Sequence, residues 1–261
     1  MKPPVPARAL GFRLAAGFLL ALAVAGCPAA LRRQAPAPRE GAAYFPLEQG
    51  SWWLYHVDDV FLGWRFERKV EVTRRHPVAD LGGDVIVLEE TYTSETGPLF
   101  RAPVQPMGFY WRGGYLNALY LSDRDLRPIE GILPTRILPE TIEPRMSWSD
   151  EGAAALPSAD LVMRIDRTHE LRLEPRAVAV RAGSFERTVR IDTTSVHRGS
   201  APPGKREDVR FYYSDWYAPG VGLVRSETWD DPERRRLRTR IELVGFATGG
   251  APRLARHGRT E

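Results

Sequence analysis

Along most of the chain apolar and polar residues alternate with a period of two, the spacing of a strand with one buried face, and no sustained 3.6-residue repeat of an amphipathic helix competes with it. From Trp64 to Val72, Trp64, Phe66, Val70 and Val72 share one face while Arg65, Glu67, Lys69 and Glu71 share the other. Asp84 to Thr93 repeats the pattern, with Val85 and Val87 opposed to Ile86, Leu88 and Tyr92. Leu161, Met163, Ile165, Leu171 and Leu173 line one face of the stretch from Leu161 to Leu173. Val189 and Ile191, then Val209, Phe211 and Tyr213, then Leu237, Ile241 and Leu243 continue the alternation. The pattern predicts about ten strands.

Turn chemistry falls between these runs. Leu81-Gly82-Gly83-Asp84, Arg112-Gly113-Gly114-Tyr115 and Arg181-Ala182-Gly183-Ser184 place glycine where a hairpin needs positive φ, and Ala218-Pro219-Gly220-Val221 has the Pro and Gly of a type II turn. Sequential antiparallel pairing follows. Ser122 to Met146 interrupts the pattern, because Pro128, Pro134, Pro139 and Pro144 are too closely spaced for a long helix or a central strand. This region reads as a long crossover loop with one short helical turn near Asp123 to Arg127. The expected fold is all-β, a large antiparallel sheet curled into an open or half barrel, with a β-sandwich as the alternative, since a sheet of this size must curl or pair with another.

The two ends of the chain read differently. Lys2, Arg8 and Arg13 precede an apolar run from Leu14 to Ala25, the layout of a secretory signal. The run is shorter than the about 20 apolar residues of a spanning helix, and Pro28 and the Arg32-Arg33 pair follow it. Its end, Val24-Ala25-Gly26-Cys27, resembles the lipobox of bacterial lipoproteins. That resemblance implies cleavage of residues 1–26 and attachment of diacylglyceryl and palmitate-type acyl chains to Cys27, which would bind a membrane through the N-terminal lipid. Cys27 is the chain's single cysteine, so no intramolecular disulfide can use it. Two or three acyl chains, at about 0.8 kcal/mol per buried methylene, make a stable anchor. Proline rather than aspartate at position 28 favours the outer membrane over retention in the inner one.

Residues 28–43 combine Pro, Ala and charge without apolar periodicity, so residues 27–43 read as a lipidated cysteine and flexible tether. Residues 44–246 read as a single β domain and 247–261 as a disordered tail. Loss of the signal removes three basic groups and no acidic ones from totals of 37 and 33, leaving the mature chain almost neutral. The basic balance of the precursor is therefore no evidence for a polyanion, and a nucleic-acid partner is excluded on these grounds.

Three segments, Tyr44-Phe45-Pro46-Leu47-Glu48-Gln49-Gly50-Ser51-Trp52-Trp53-Leu54-Tyr55, Ala182-Gly183-Ser184-Phe185 and Trp216-Tyr217-Ala218-Pro219-Gly220-Val221-Gly222-Leu223-Val224, resemble recurrent marks of an uncharacterised family of bacterial lipoproteins. Such proteins are distantly similar to open-barrel, lipoprotein-carrier-like periplasmic proteins, in which a curved antiparallel sheet wraps an apolar cavity. The resemblance implies a fold and assigns no activity. Physically, the marks read as turn and strand determinants.

Catalytic motifs are missing: there is no G-x-S-x-G elbow and no H-E-x-x-H pair. His56 with Asp58 and Asp59 could supply metal ligands but reads better as a solvated turn, and His76, His169, His197 and His257 are scattered. Neighbouring residues on a strand face opposite ways, so neither His169-Glu170 nor Glu89-Glu90 can serve one site together. Neither a metal nor a cofactor is expected. The basic run from Glu233 to Arg240 reads as a solvated turn and strand face, with anionic lipid or lipopolysaccharide as its other candidate partner. Aromatic residues concentrate in a few strands and must populate both faces of the sheet, so one face fills the core while the other needs a loop, a partner or a ligand. Trp111, Tyr213 and Trp216 are the candidate wall of a ligand cavity. The chain reads as a noncatalytic binding or structural module of the envelope, for lipid or another hydrophobic ligand. The alternatives are an envelope hydrolase assembled from distant residues and a scaffold subunit of an envelope complex. Cys27→Ser should abolish metabolic labelling with a fatty acid and block lipoprotein-type maturation; retained labelling would overturn the lipidation assignment.

Overall fold

The computed structural model describes residues 39–96, 106–156, 161–199, 208–249 and 251–253. The chain divides into Met1–Pro36, which lies outside the described residues together with Cys27 and the signal, and Ala37–Glu261, which holds every element below. In chain order the strands are β1 (Arg39–Glu40), β2 (Trp52–Asp59), β3 (Trp64–Val78), β4 (Gly83–Thr96), β5 (Met107–Arg112), β6 (Tyr115–Tyr120), β7 (Thr135–Pro139), β8 (Thr141–Ile142), β9 (Ser147–Leu156), β10 (Leu161–Leu173), β11 (Val178–Val180), β12 (Gly183–Phe185), β13 (Val189–Gly199), β14 (Asp208–Ala218), β15 (Gly222–Trp229), β16 (Leu237–Thr248) and β17 (Ala251–Arg253). Two short 3-10 turns, Gly41–Tyr44 and Ala79–Leu81, are the helical elements among the described residues.

The fold is all-β. One antiparallel sheet runs in the order β7-β6-β5-β4-β3-β2-β16-β15-β14-β13-β10-β9, with β17 added beside β16. The join of β2 to β16 brings the first long strand against the last, from Thr239 opposite Asp59 to Ala247 opposite Trp52. Register shifts between Val72 and Arg74, Trp216 and Tyr217, Thr228 and Trp229, and Leu243 and Gly245 insert bulges. Each bulge bends its strand and deepens the local twist, so the sheet coils toward a barrel instead of lying flat.

The hairpin turns follow the glycine chemistry. Gly113 and Gly114 both adopt positive φ, 62° and 79°, as a tight I′ hairpin between β5 and β6 requires. Gly220 has φ 73° and Val221 N–H donates to Ala218 C=O at 3.2 Å, the type II arrangement.

Parity assigns the faces. Val85 and Val87 are fully buried on the outer face, where Leu119, Leu121 and Leu126 cover them, while Leu88 joins the main core inside. The cover is the end of β6 and the segment after it, which folds back through a bridge between Leu121 and Pro128. The helical turn expected near Asp123 to Arg127 is a single turn at Asp123 to Asp125 that extends into no helix. Leu126 N–H reaches Ser122 C=O at 3.1 Å, but Leu126 itself sits at φ 54° and ends the turn there. Nor is Ser122 to Met146 one long loop, since it contains β7 and β8. Its prolines flank the strand, Pro134 just before β7 and Pro139 as its last residue, and β7 is an edge strand whose ladder partner is β6 alone. A missing N–H is tolerated at such an edge.

One end of the barrel is plugged. Tyr44 is buried, its hydroxyl donates to Arg187 C=O at 3.1 Å, and Phe45 stacks on Phe109 at 5.3 Å and meets Tyr217 at 6.1 Å. The expected tether boundary at residue 43 thus lies inside folded chain: Arg39 and Glu40 pair with Ile142 and Thr141, and Gly41 N–H donates to Glu140 C=O at 2.6 Å. Similarly, Ala247 and Thr248 belong to β16, and β17 pairs back onto it before the tail leaves the described residues. Gly41 is required by proximity, because a Cβ there would overlap the Pro139 carbonyl oxygen. Gly41→Ala should cost about 1–3 kcal/mol by overpacking, read as a lower denaturation midpoint; an unchanged midpoint would mean the plug does not pack as described.

Candidate functional site

Two chambers lie inside the curl of the sheet and share Ile137 and Tyr217. The first, of about 150 Å³, is mostly apolar, with walls from Phe45, Trp53, Tyr55, Val70, Leu88, Met107, Phe109 and Leu223. The second, of about 200 Å³, is polar, with Arg167 and His169 from β10, Thr193, Ser195 and His197 from β13, and Tyr213 and Asp215 from β14. Arg136 and Arg167 also line an open cleft of about 670 Å³ between the sheet's two free edges, β7 and β9.

A single carboxylate fastens those edges. Asp150 on β9 accepts from Arg136 N–H of β7 at 2.7 Å and from the Arg167 guanidinium at 3.2 Å, while the Arg136 side chain reaches Ser149 C=O at 3.3 Å. Burial alone would raise the Asp150 pKa. The adjacent His169 imidazole, the hydrogen bond from the Arg136 amide and the charge of Arg167 hold it below the ordinary value.

On β10, His169 stacks on Trp148 with ring centroids 4.9 Å apart, and its Nδ1 lies 2.8 Å from Thr193 Oγ1. Its Nε2 is 3.5 Å from Asp150 Oδ2, within ion-pair range yet too poorly placed for a hydrogen bond, so this buried nitrogen is unsatisfied. Ser195 Oγ lies 2.9 Å from His197 Nε2. Burial, aided by the Arg167 charge, lowers the His197 pKa and favours its neutral form.

In the apolar chamber the one charged pair is Arg68 with Glu90, joined in two hydrogen bonds across β3 and β4, and the Tyr92 hydroxyl also donates to Glu90. Burial would lower the Arg68 pKa, but Glu90 raises it, so the guanidinium stays charged. Burial pushes the phenol of Tyr92 up to about 12 and raises those of Tyr55 and Tyr217 as well.

Of the three wall residues read from the sequence, Tyr213 lines the polar chamber. Trp216 is on the opposite parity, on the outer face, where its indole N–H donates to Glu174 at 3.3 Å and Arg190 and Arg225 flank its ring at 5.8 and 5.3 Å. Trp111 stands 36% exposed at the end of β5, beside the Gly113-Gly114 turn. The three are not brought together. His56, Asp58 and Asp59 share no metal site, and among the described residues no group of three His, Cys, Asp or Glu side chains is arranged to hold a metal ion.

The charged residues of both chambers had a signal in the sequence. Arg68 falls between Phe66 and Val70, Glu90 between Leu88 and Tyr92, and Arg167 and His169 between Ile165 and Leu171, all on apolar parity. A charge repeated on the inward parity of several strands marks a polar interior.

No protein-family model matches the chain, and no curated protein does. Two crystal structures align with the chain. A "putative lipoprotein" from Parabacteroides distasonis ATCC 8503 aligns at TM-score 0.47 and 18% identity, over 78% of this chain and 98% of its own. A "putative exported protein with YmcC-like fold" from Bacteroides fragilis NCTC 9343 aligns at TM-score 0.42 and 15% identity, over 80% and 100%. Similarity at that level says nothing about activity, so function has to come from the residues themselves.

Asp150→Asn keeps the shape and removes the charge that Arg167 needs. Because the folded pKa of Asp150 is depressed, its contribution is present above the unfolded carboxylate value and is lost as pH falls through the folded one. The variant should be less stable than wild type by roughly 3 kcal/mol at pH near 7, and the difference should vanish in acid. Equal stability at neutral pH would remove Asp150 as the clasp.

Proposed function

We propose that the chain is an exported lipoprotein, anchored through acylated Cys27 to the cell envelope and by preference to the outer membrane. Its half barrel works there as a noncatalytic binding module for a small amphiphile. The carrying observation is the joined pair of chambers, one apolar and one lined by hydrogen-bonding groups, sharing Ile137 and Tyr217. A ligand whose short apolar part lies against Leu88, Met107 and Phe109 can present its polar end to Thr193, His197 and Tyr213.

Size narrows the ligand. Drug-sized ligands occupy pockets of about 300–1,000 Å³, and each chamber here is smaller. A two-chain lipid does not fit; a short single chain does.

A hydrolase is the second reading, and Asp150, His169 and Thr193 favour it by forming a carboxylate, imidazole and hydroxyl series beside the Ser195–His197 pair. Against it, Thr193 and Ser195 stand mid-strand between β10 and β14. Backbone N–H groups there are committed to ladders on both sides and supply no oxyanion hole. The exposed Val60, Phe61 and Leu62 at the β2–β3 turn are the surface a scaffold would use, but a scaffold has no need of an interior polar wall.

Calorimetry with octanol tests the proposal on mature chain carrying Cys27→Ser. Octanol should bind saturably, and Met107→Trp, which fills the apolar chamber, should weaken it by about tenfold or more, the loss of roughly 1.4 kcal/mol. Ester turnover by wild type that disappears in His169→Ala would instead favour the hydrolase.

A further inference from the structure

The interior charges nearly cancel. Arg68 is matched by Glu90 and Arg167 by Asp150. Among the groups lining the polar chamber, Arg136 turns its guanidinium to Ser149 C=O and the Tyr115 ring, and Asp215 is the carboxylate left without a cation. It lines the polar chamber from β14, opposite Ile191 on one side and Ser226 on the other, and no described Arg, Lys or His forms an ion pair with it. Its electrostatic neighbours are the Ser226 hydroxyl, which hydrogen-bonds to it, and Asp192, a second negative charge on the far face of the sheet.

A half-buried carboxylate without a counter-charge is costly, and it is tolerated either by protonation or by a partner cation. Burial and Asp192 push the Asp215 carboxyl up to about 6, so it still ionises near neutral pH. Tyr213 and Tyr217, two residues to either side on the same face, add aromatic rings of the kind that attract a cation. Tyr217 also lines the apolar chamber, which puts an apolar wall directly beside the carboxylate.

We infer that the cavity selects a cationic amphiphile, a primary ammonium on a short apolar chain, whose head group pairs with Asp215 between Tyr213 and Tyr217 and whose chain crosses Tyr217 and Ile137 into the apolar chamber. This rests on the reading of the barrel as a binding module and adds the sign of the ligand's charge.

The test compares octylammonium, octanol and octanoate by calorimetry on mature chain carrying Cys27→Ser, with and without Asp215→Asn. That substitution preserves shape and removes a strained charge, so the variant folds. Octylammonium should bind at least about tenfold more tightly than octanol or octanoate, the size of one charge-assisted hydrogen bond. Asp215→Asn should erase that preference, bringing octylammonium to the affinity that the same variant shows for octanol. Octanoate or octanol binding as tightly as octylammonium, or undiminished octylammonium binding in Asp215→Asn, overturns the inference while the binding module stands. Failure of all three ligands to bind removes both.

Discussion

The Asp150 carboxylate is the constraint on which the rest of the molecule depends, because it closes the barrel where no β-ladder can. Strands joined by a ladder lie about 4.8 Å apart, and full closure at that spacing would draw β7 and β9 together and leave less room inside. β7 is only five residues long and ends in Pro139. Its Arg136 N–H finds its partner in a side chain from β9. The same carboxylate holds Arg167 and sits beside His169, so the clasp at the seam and the polar wall of the cavity are one set of contacts. Closure and site cannot be altered separately.

At the plugged end a different set of contacts does the fastening, and it joins the sequence marks to one another. The Trp53 indole N–H donates to Val221 C=O, the Tyr55 hydroxyl donates to Leu223 C=O at 3.1 Å, and Gly220 N–H donates to Ala43 C=O at 2.6 Å. Gly222, at φ 103°, lets the backbone pass close to the Trp53 ring, where a Cβ would sit 3.2 Å from the indole nitrogen. The middle mark joins the same structure: Ala182 N–H donates to Leu243 C=O at 2.8 Å and Phe185 meets Phe246 edge-on at 6.2 Å. Segments more than a hundred residues apart in sequence thus form one keystone. Packing accounts for these segments, in line with a reading of them as turn and strand determinants.

Most of the sheet was legible because half-buried strands write their burial at a period of two. Val85 against Leu88, and Phe66 and Val70 on one face of β3, could be assigned from alternation alone, as could the glycine turns. β7 was not legible, since five residues bracketed by proline carry too little pattern and edge strands need only one partner. The site was half legible. Which face of β14 turns inward decides that Tyr213 sees the cavity and Trp216 does not, and aromaticity alone does not tell them apart. Arg68, Arg167 and Asp215 could have been found by asking which charged residues occupy apolar parity. That His169 faces Thr193 is a matter of register between β10 and β13, which one strand's sequence does not encode.

The order of the compartments bears on how a ligand would be held. Arg136 and Arg167 line both the seam cleft and the polar chamber, while Ile137 and Tyr217 line both the polar and the apolar chambers. A molecule entering at the seam therefore passes polar groups before it reaches the apolar end, which Phe45 and Trp53 of the keystone close. Under the proposed binding role an amphiphile would enter apolar end first, since its polar end among Phe45, Leu88 and Phe109 would meet a wall whose one charged pair, Arg68 and Glu90, is already bonded to itself, and an unmade hydrogen bond there costs about 1–3 kcal/mol. With the chain so seated, the head group would lie among Thr193, Tyr213 and Asp215. The polarity gradient along the barrel would thus orient a ligand of the proposed kind, with the clasp holding the two edges in place around it.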